Sequence, residues 1–375
     1  MLGLYVHVPF CSAICNYCNF NRGLFDGALK ARYVDALVAE IEGAGRSGRS
    51  GGADTIYFGG GTPSLLEPEE IARIVDACDR SFELARDREV TLEANPESVS
   101  RERLAGFRAA GINRLSVGVQ SFRDDELGRL SRLHTAARAQ AAIREARAAG
   151  FDNVSLDLMM WLPGQSVTDW LGSVEQAIAL APDHLSLYLL EVYPNAPLRD
   201  EMARARWSQA PDDDAAAMYL TALARLDAAG YGQYEISNVA KPGRASRHNL
   251  KYWTDGEWLG FGCGAHSTRA GVRSRNVSSP EEYVGRIVRG EPTAAETRVL
   301  TADERVGDAL FTGLRLSEGV DLEAVRVRYG VDIWGRHGTD LDVFVREGLL
   351  VREGSRLRLN RQGMLLAHEV MTVFV

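Results

Sequence analysis

Three of the chain's five cysteines fall in one short segment, "CSAICNYC", as Cys11, Cys15 and Cys18 at the spacing C-x3-C-x2-C. Two thiols would make a disulfide, and four would close a structural zinc site. Three suit a site that keeps one position open. A catalytic zinc ion uses three protein ligands and leaves its fourth place free, and His7 could turn such a set into a closed one. A four-iron cluster normally takes four thiolates. Held by three, it keeps one iron free for a small chelating ligand. Further polar or small residues stand where apolar ones would be expected. "GGGT" (Gly59–Thr62) follows an apolar run directly, and glycine lets backbone approach a ligand because no Cβ intervenes. Glu93, Gln120 and Asp157 each sit near the end of an otherwise apolar stretch. Taken alone, a buried Glu93 or Asp157 also fits an internal ion pair with an arginine.

These residues need elements to position them. Six β-rich runs, 3–8, 54–60, 89–95, 114–120, 153–159 and 184–190, alternate with helical patterns. In 28–44, Leu29, Tyr33, Leu37 and Ile41 recur every fourth residue, giving one apolar stripe. In 68–80, Ile71, Ile74, Val75 and Cys78 do the same behind Pro68. The stretches 100–110, 124–149 and 168–181 complete the series. Strands alternating with helices indicate parallel βαβ units. The cysteines, "GGGT", Glu93, Gln120 and Asp157 all lie at or just beyond strand C-terminal ends. A TIM-like barrel gathers such positions on one face, whereas an open sheet spreads them along a line. The expected fold is therefore α/β, a partial (β/α)6 TIM-like barrel. Residues 1–190 form this barrel. Residues 191–290 are a less regular extension rich in Pro, Gly and aromatic residues. In 291–375, three helical patterns, a hairpin at "LLVREGSRLRLN" and a last helix suggest a small winged-helix-like module. "GRSGRSGG" (45–52) reads as a flexible helix-to-strand loop.

The composition is that of an ordinary globular protein, 45% apolar and 25% charged. The net charge of −8, from 43 basic and 51 acidic residues, argues against nucleic acid as the main partner. No apolar run reaches membrane-span length, and the N-terminus lacks the features of a signal peptide. The expected location is the cytoplasm, where thiols stay reduced.

C-x3-C-x2-C with an aromatic residue just before its last cysteine (Tyr17) resembles the signature of the radical S-adenosylmethionine superfamily. "LYVHVPFC", "YFGGGTPS", "LEANPES", "RLSVGVQSF", "RLSRLH", "LDLMMWLPGQ", "YEISNVA", "RHNLKYW" and "GCGAHS" occur in that order along nearly the whole chain. Together they resemble the coproporphyrinogen III dehydrogenase-like group, above all its haem chaperones. The resemblance implies a [4Fe-4S] cluster on Cys11, Cys15 and Cys18, and S-adenosylmethionine chelated at its open iron. It implies that Tyr5 and the Tyr17 backbone touch that molecule, and that Gly60, Gly61 and Thr62 hold its amino group. Glu93, Gln120, Arg132 and Asp157 would line the rest of the pocket. Carboxylates suit a sulfonium cation and ribose hydroxyls, and Arg132 suits a carboxylate.

Two departures separate this chain from the dehydrogenases of the group. They carry a further cysteine two places after the third, where this chain has Phe20. They also carry an N-terminal extension that takes part in the substrate site, whereas here the first strand begins within a few residues of Met1. "HNLKYW" (His248–Trp253) matches the H-N-x-x-Y-W motif of the haem chaperones. Histidine is a common axial ligand of haem iron, so His248 is the expected haem ligand and His266, in "GAHS", its rival. The resemblance implies haem as cargo, haem-acceptor proteins (respiratory ones among them) as partners, peripheral membrane contact only, and a cluster linked to dimer formation. A radical enzyme of the same group, a methyltransferase or the porphyrinogen dehydrogenase, is the alternative. His7 is expected near the cluster. Cys78 reads as core, Cys263 is ambiguous, and His134, His184, His337 and His368 follow no functional pattern.

Overall fold

The computed structural model describes residues 1–46 and 51–374. The middle of the loop expected at 45–52 lies outside the described residues. Six parallel strands form the heart of the fold: β1 (Leu2–Val8), β2 (Gly52–Gly60), β3 (Glu83–Ala94), β4 (Arg114–Gln120), β5 (Val154–Met160) and β6 (His184–Leu189). Helices α1 (Gly27–Arg46), α2 (Pro68–Ser81) and α3 (Arg101–Ala109) connect the first four. The β4–β5 connection holds α4 (Asp124–Arg129) and α5 (Ala136–Ala148), and α6 (Val167–Ala179) leads into β6. This is the expected partial barrel of β/α units.

The strands divide their two faces sharply. Leu115, Val117 and Val119 of β4, and Leu156 and Leu158 of β5, are fully buried in one continuous core with the helix stripes of Tyr33, Leu37 and Ile41. The alternate residues (Arg114, Ser116 and Gly118 on β4, Ser155 and Asp157 on β5) share the opposite face. TIM barrels usually fill their interior with branched apolar side chains. Here the inward stripe is small or polar, which leaves room at one end of the barrel for a ligand.

One expectation needs correction. The stretch 124–149 is not one helix. It breaks after Arg129, Ser131 takes a left-handed φ of 54°, and the chain restarts with Thr135 capping α5 through the Arg138 amide. The break places Arg132 in a loop over the barrel mouth. Residues 191–290, expected as a less regular extension, carry the sheet further on both sides. After α7 (Pro197–Ala205) and α8 (Asp212–Ala228), strands β7 (Gly232–Glu235) and β8 (Asn238–Ala240) extend the sheet beyond β6, with β8 antiparallel to it. Helix α9 (Arg247–Trp253) crosses to the other side, where β9 (Trp258–Phe261) joins β1 as a further parallel strand. Strands β10 (His266–Arg269), β11 (Val272–Asn276) and β12 (Ala294–Val299) continue antiparallel from there, with α10 (Pro280–Arg289) between the last two. The sheet order is β12-β11-β10-β9-β1-β2-β3-β4-β5-β6-β8-β7.

The C-terminal part has a core of its own, built from Val306, Leu310, Ile333, Leu341, Leu357 and their neighbours. Its helices α11 (Ala302–Gly313), α12 (Leu322–Tyr329) and α13 (Ile333–Arg346) precede a hairpin, Leu350–Glu353 with Arg356–Leu359. The pair Val320–Asp321 adds a third strand to the hairpin. The final helical segment is broken into Arg361–Leu365 and Ala367–Met371. This module touches the barrel where Arg315 stacks on Trp253 at 4.4 Å and pairs with the fully buried Glu235 at 3.1 Å.

Candidate functional site at the barrel mouth

The C-terminal ends of β1 to β6 open into a cavity of about 450 Å³. Eleven of the thirteen residues singled out from the sequence line it: the three cysteines, Tyr17, Gly60, Gly61, Thr62, Glu93, Gln120, Arg132 and Asp157. Tyr5 and His248 do not.

Chain geometry gathers them. Phe10 and Cys11 leave β1 as a two-residue parallel ladder with Gly23 and Leu24, which closes the base of the cysteine loop. Tyr17 packs against Leu130, Met159, Leu162, Leu190 and Leu198, and so ties the loop to the far side of the barrel. Asn16 fastens it further, donating to the Arg129 carbonyl at 2.9 Å and to Glu201 at 2.6 Å. The glycines after β2 serve the protein as well as any ligand. A Cβ at Gly61 would lie 2.7 Å from the Phe10 carbonyl oxygen and 3.0 Å from Cys11 Sγ. Gly60 has φ +117°, and a Cβ there would meet the His7 ring at 2.6 Å. The two loops can approach only because position 61 carries no side chain.

All five cysteines are free thiols. Burial pushes the Cys11 and Cys18 thiols up, so metal loading would have to displace protons. Thr62 Oγ1 lies 3.7 Å from Cys11 Sγ, and Arg132 Nη1 lies 3.6 Å from Cys15 Sγ. Among the described residues no three His, Cys, Asp or Glu side chains converge as a single ion needs. A cluster spreads its ligands over several irons and requires only that three thiols face one cavity, as they do.

The opposite wall is electrostatic. Glu93 accepts from Tyr57 Oη at 2.7 Å and from the Gly60 amide at 3.2 Å. Burial lifts its pKa to about 7; the Tyr57 hydrogen bond opposes the rise and nearby Asp157 adds to it. Asp157 is raised by burial too, held back by Ser186, Arg114 and Ser116. Arg132 Nη2 donates to Asn95 Oδ1 at 2.7 Å and to the Gly118 carbonyl at 2.8 Å. Gln120 adopts a left-handed φ of 66° at a register shift between β4 and β5, a strained arrangement of a kind that clusters at binding sites. A Cβ on Gly118 would crowd Gln120, Asn95 and Arg132 at 3.0 to 3.4 Å.

Three contributors were missed by reading motifs. Ser116 holds Asp157 at 3.2 Å, Asn95 bridges Arg132 and Thr62, and Tyr188 lines the rim. The signal for Ser116 was the strand period: it is the next inward residue of β4, in register with Glu93.

The other expected residues lie elsewhere. Tyr5 is inside the barrel, stacked on Tyr57 at 6.2 Å with its hydroxyl 3.1 Å from His7 Nδ1. His248 closes the opposite end, 1% exposed. Its Nδ1 is 2.8 Å from Thr55 Oγ1 and its Nε2 is 2.9 Å from Tyr252 Oη. The ring stacks on Tyr57, and burial drives its pKa down to about 3. Both ring nitrogens of His248 are therefore engaged within the protein. His7 sits beneath the mouth, bonded to Tyr5 and the Asn21 carbonyl. Cys78 is core, and Cys263 is buried against Tyr33 and Asn21. His266 is exposed; partial burial and the neighbouring Arg275 and Arg273 hold it below the usual imidazole range.

Comparison with known proteins fits this geometry. Residues 5–177 match the radical SAM superfamily and residues 300–366 the HemN C-terminal domain. The haem chaperone HemW of Bacillus subtilis is 36% identical over 100% of this chain and 99% of its own. The HemW protein of Mycobacterium tuberculosis is 41% identical over 98% and 93%. The structure of Escherichia coli coproporphyrinogen III oxidase (HemN), 23% identical, superposes with a TM-score of 0.87 over 100% of this chain and 89% of that one.

Proposed function

We infer the function from one premise: the chain belongs to the radical SAM superfamily and, within it, to the family of the HemW haem chaperones. On that premise the protein binds haem, holds a [4Fe-4S] cluster and S-adenosylmethionine, and passes haem to acceptor proteins. Cys11, Cys15 and Cys18 hold the cluster. The Gly60–Thr62 backbone, Glu93, Gln120, Arg132 and Asp157 hold the S-adenosylmethionine. When bound, cluster and S-adenosylmethionine together supply one-electron chemistry at the sulfonium. The chain's own contribution is to orient that molecule. Glu93 and Asp157 place negative charge beside a cation, Arg132 pairs with a carboxylate, and Tyr17 and Asn16 hold the cysteine loop in place over the mouth.

The observation that carries the chaperone reading over the decarboxylase is Phe20. It borders the cavity where the porphyrinogen dehydrogenases of the group place a further thiol, and it is 66% exposed. With Tyr188, Leu189 and Tyr193, also exposed, it gives the mouth an apolar rim in place of a reactive one. Among the described residues no helix is long and apolar enough to cross a membrane. On this reading, delivery to a membrane-bound respiratory acceptor proceeds by peripheral contact, from the cytoplasm, with cluster-linked dimers as the assembled form.

Titration of haem into the pure, cluster-reconstituted protein tests this. A saturable Soret shift is expected, followed by transfer to an apo-acceptor haemoprotein mixed in excess. Absence of any haem spectrum, together with turnover of S-adenosylmethionine in the presence of a porphyrinogen, would replace the chaperone with an enzyme.

A further inference from the structure

The charges at the barrel mouth do not balance. Cys11, Cys15 and Cys18 line it together with the carboxylates of Glu93, Asp157 and Glu191. Among the described residues two cations share that lining, Arg22 and Arg132. Thiols loaded as thiolates make this wall more anionic, and a cluster gains one further negative charge on reduction. Opposite charge close by offsets that cost. Arg132 is already committed. It donates to Asn95 Oδ1 and to the Gly118 carbonyl, and on the reading above it pairs with a carboxylate. The inference that follows rests on the cluster part of that reading and concerns Arg22.

Arg22 follows the cysteine loop directly, and its backbone is fixed from both sides. The Asn21 side chain donates to the Cys263 carbonyl at 3.2 Å and to the Ser278 carbonyl at 3.1 Å. The Gly23 amide donates to the Pro9 carbonyl at 2.7 Å. From this anchor the half-buried side chain turns back over the loop. Its Nη1 donates to the Phe20 carbonyl at 3.1 Å and its Nη2 to the Cys18 carbonyl. Two bonds to a rigid planar fork fix the orientation of the whole guanidinium. They leave Nε, a donor that is buried and has no acceptor. Among the described residues no carboxylate pairs with Arg22. A buried donor without an acceptor is uncommon in folded proteins and marks either strain or a missing ligand. The charge is felt at the thiols. Burial pushes the Cys11 and Cys18 thiols up, and Arg22 opposes that rise at both. Arg132 reaches Cys15 Sγ from the other side at 3.6 Å. The loop is thus bracketed by two cations, of which only Arg132 has another task.

We propose that Arg22 is the resident counter-cation of the cluster, locking the last turn of the cysteine loop through two carbonyls and raising the reduction potential through its charge and its free Nε–H. It is a tuning and positioning residue and takes no part in bond making. The potentials of iron–sulfur clusters follow net charge and hydrogen bonds to the sulfurs, and Arg22 brings both to one spot. A positive charge stabilises the reduced, more anionic state over the oxidised one, so the sign of the effect is fixed: loss of Arg22 makes the cluster harder to reduce.

The test is a redox titration of the full, anaerobically reconstituted chain, followed by electron paramagnetic resonance of the reduced cluster and paired with an iron count. S-adenosylmethionine is left out, so that the Arg132 side of the pocket is not probed. Arg22→Gln keeps a donor over the loop but removes the charge. Its reduced-to-oxidised ratio at a fixed potential should drop by roughly tenfold, a fall of about 59 mV for a one-electron couple. Arg22→Lys keeps the charge and should stay close to wild type. A purely structural clamp would change the iron count and leave the potential of the loaded fraction alone. Arg22→Gln that loads fully and titrates at the wild-type potential therefore overturns the proposal and leaves the cluster assignment standing. If Arg22→Gln will not load, the charge-retaining variant decides: a loaded Arg22→Lys supports the counter-cation, and an empty one overturns it in favour of the clamp. A wild-type chain that takes up no cluster overturns the proposal and the reading beneath it together.

Discussion

The two ends of the barrel are built from the same inward stripes of the same strands, yet one is open and the other sealed. At the mouth, Glu93, Asp157 and Arg132 face a cavity, and two of these groups are pushed away from their usual protonation by burial. At the floor, Thr55, His184, Tyr234, His248 and Tyr252 satisfy one another, and α9 covers them. A buried polar group that borders open volume is available to a ligand even when the protein also holds it, whereas one enclosed and bonded on every side is structure. Residue type does not separate the two ends; the cavity beside one of them does.

The sharpest way to break this comparison is at the cysteines. Anaerobically reconstituted protein should carry about four irons per chain. Cys11→Ala, Cys15→Ala and Cys18→Ala should each bring iron and visible absorbance close to zero, since Cys78 and Cys263 are fully buried and neither lines the cavity. A full cluster in any one variant would remove that cysteine from the ligand set. Next comes Asp157→Ala. Losing one partner of a buried charged contact costs roughly 2–5 kcal/mol, so S-adenosylmethionine should bind at least about tenfold more weakly by calorimetry, with the melting temperature little changed.

His248→Ala should do the reverse. It strands the Thr55 and Tyr252 hydroxyls and leaves a void, for a loss of about 2–4 kcal/mol in urea unfolding. The affinity for S-adenosylmethionine should hold; if it falls as far as in Asp157→Ala, the floor is not separate from the site.

The two ends should also respond to pH with opposite sign. Glu93 is raised from its ordinary 4.5 to about 7 among Tyr57, Asp157 and Arg114. Its contribution to the stability of the cofactor-free protein is complete below about 4.5 and lost as pH rises through 7. Binding of the sulfonium should instead tighten over that same rise. His248 is lowered from 6.5 to about 3 by burial, with Lys251 and Arg114 adding to the effect and Asp54 opposing it. Its contribution is present above 6.5 and lost as pH falls toward 3. Stability profiles of Glu93→Gln and His248→Gln should each flatten only their own limb. The smallest effect is expected from Tyr5→Phe. One hydrogen bond to His7 is lost, about 0.5–1.5 kcal/mol of stability, and an unchanged affinity for S-adenosylmethionine would remove Tyr5 from the pocket.

Much of the mouth was legible beforehand because its signals are local. Three thiols in one loop, a glycine run and carboxylates at strand ends each announce themselves within a few residues. The barrel followed from strand–helix alternation. The floor was not legible. That His248 faces Thr55 and Tyr57 across nearly two hundred positions is a product of the sheet wrapping past β1, which no local pattern encodes. The break at Ser131 was hidden for a related reason. Its local marks are slight: Thr135 caps the new helix and Asp124 accepts from the Ala136 amide.

The position of β1 in the sheet has a consequence for how the chain is made. Leu4 is in register with Ile56 on one side and Leu259 on the other. A ribosome delivers the first neighbour early and the second only after most of the chain has emerged. Until then β1 presents a full ladder of unpaired amides and carbonyls, the kind of edge that recruits other chains. Contacts so distant in sequence also slow folding. The nascent barrel therefore spends much of its synthesis as an incomplete sheet with an open seam, and a chain stopped before Trp258 would keep that seam for good.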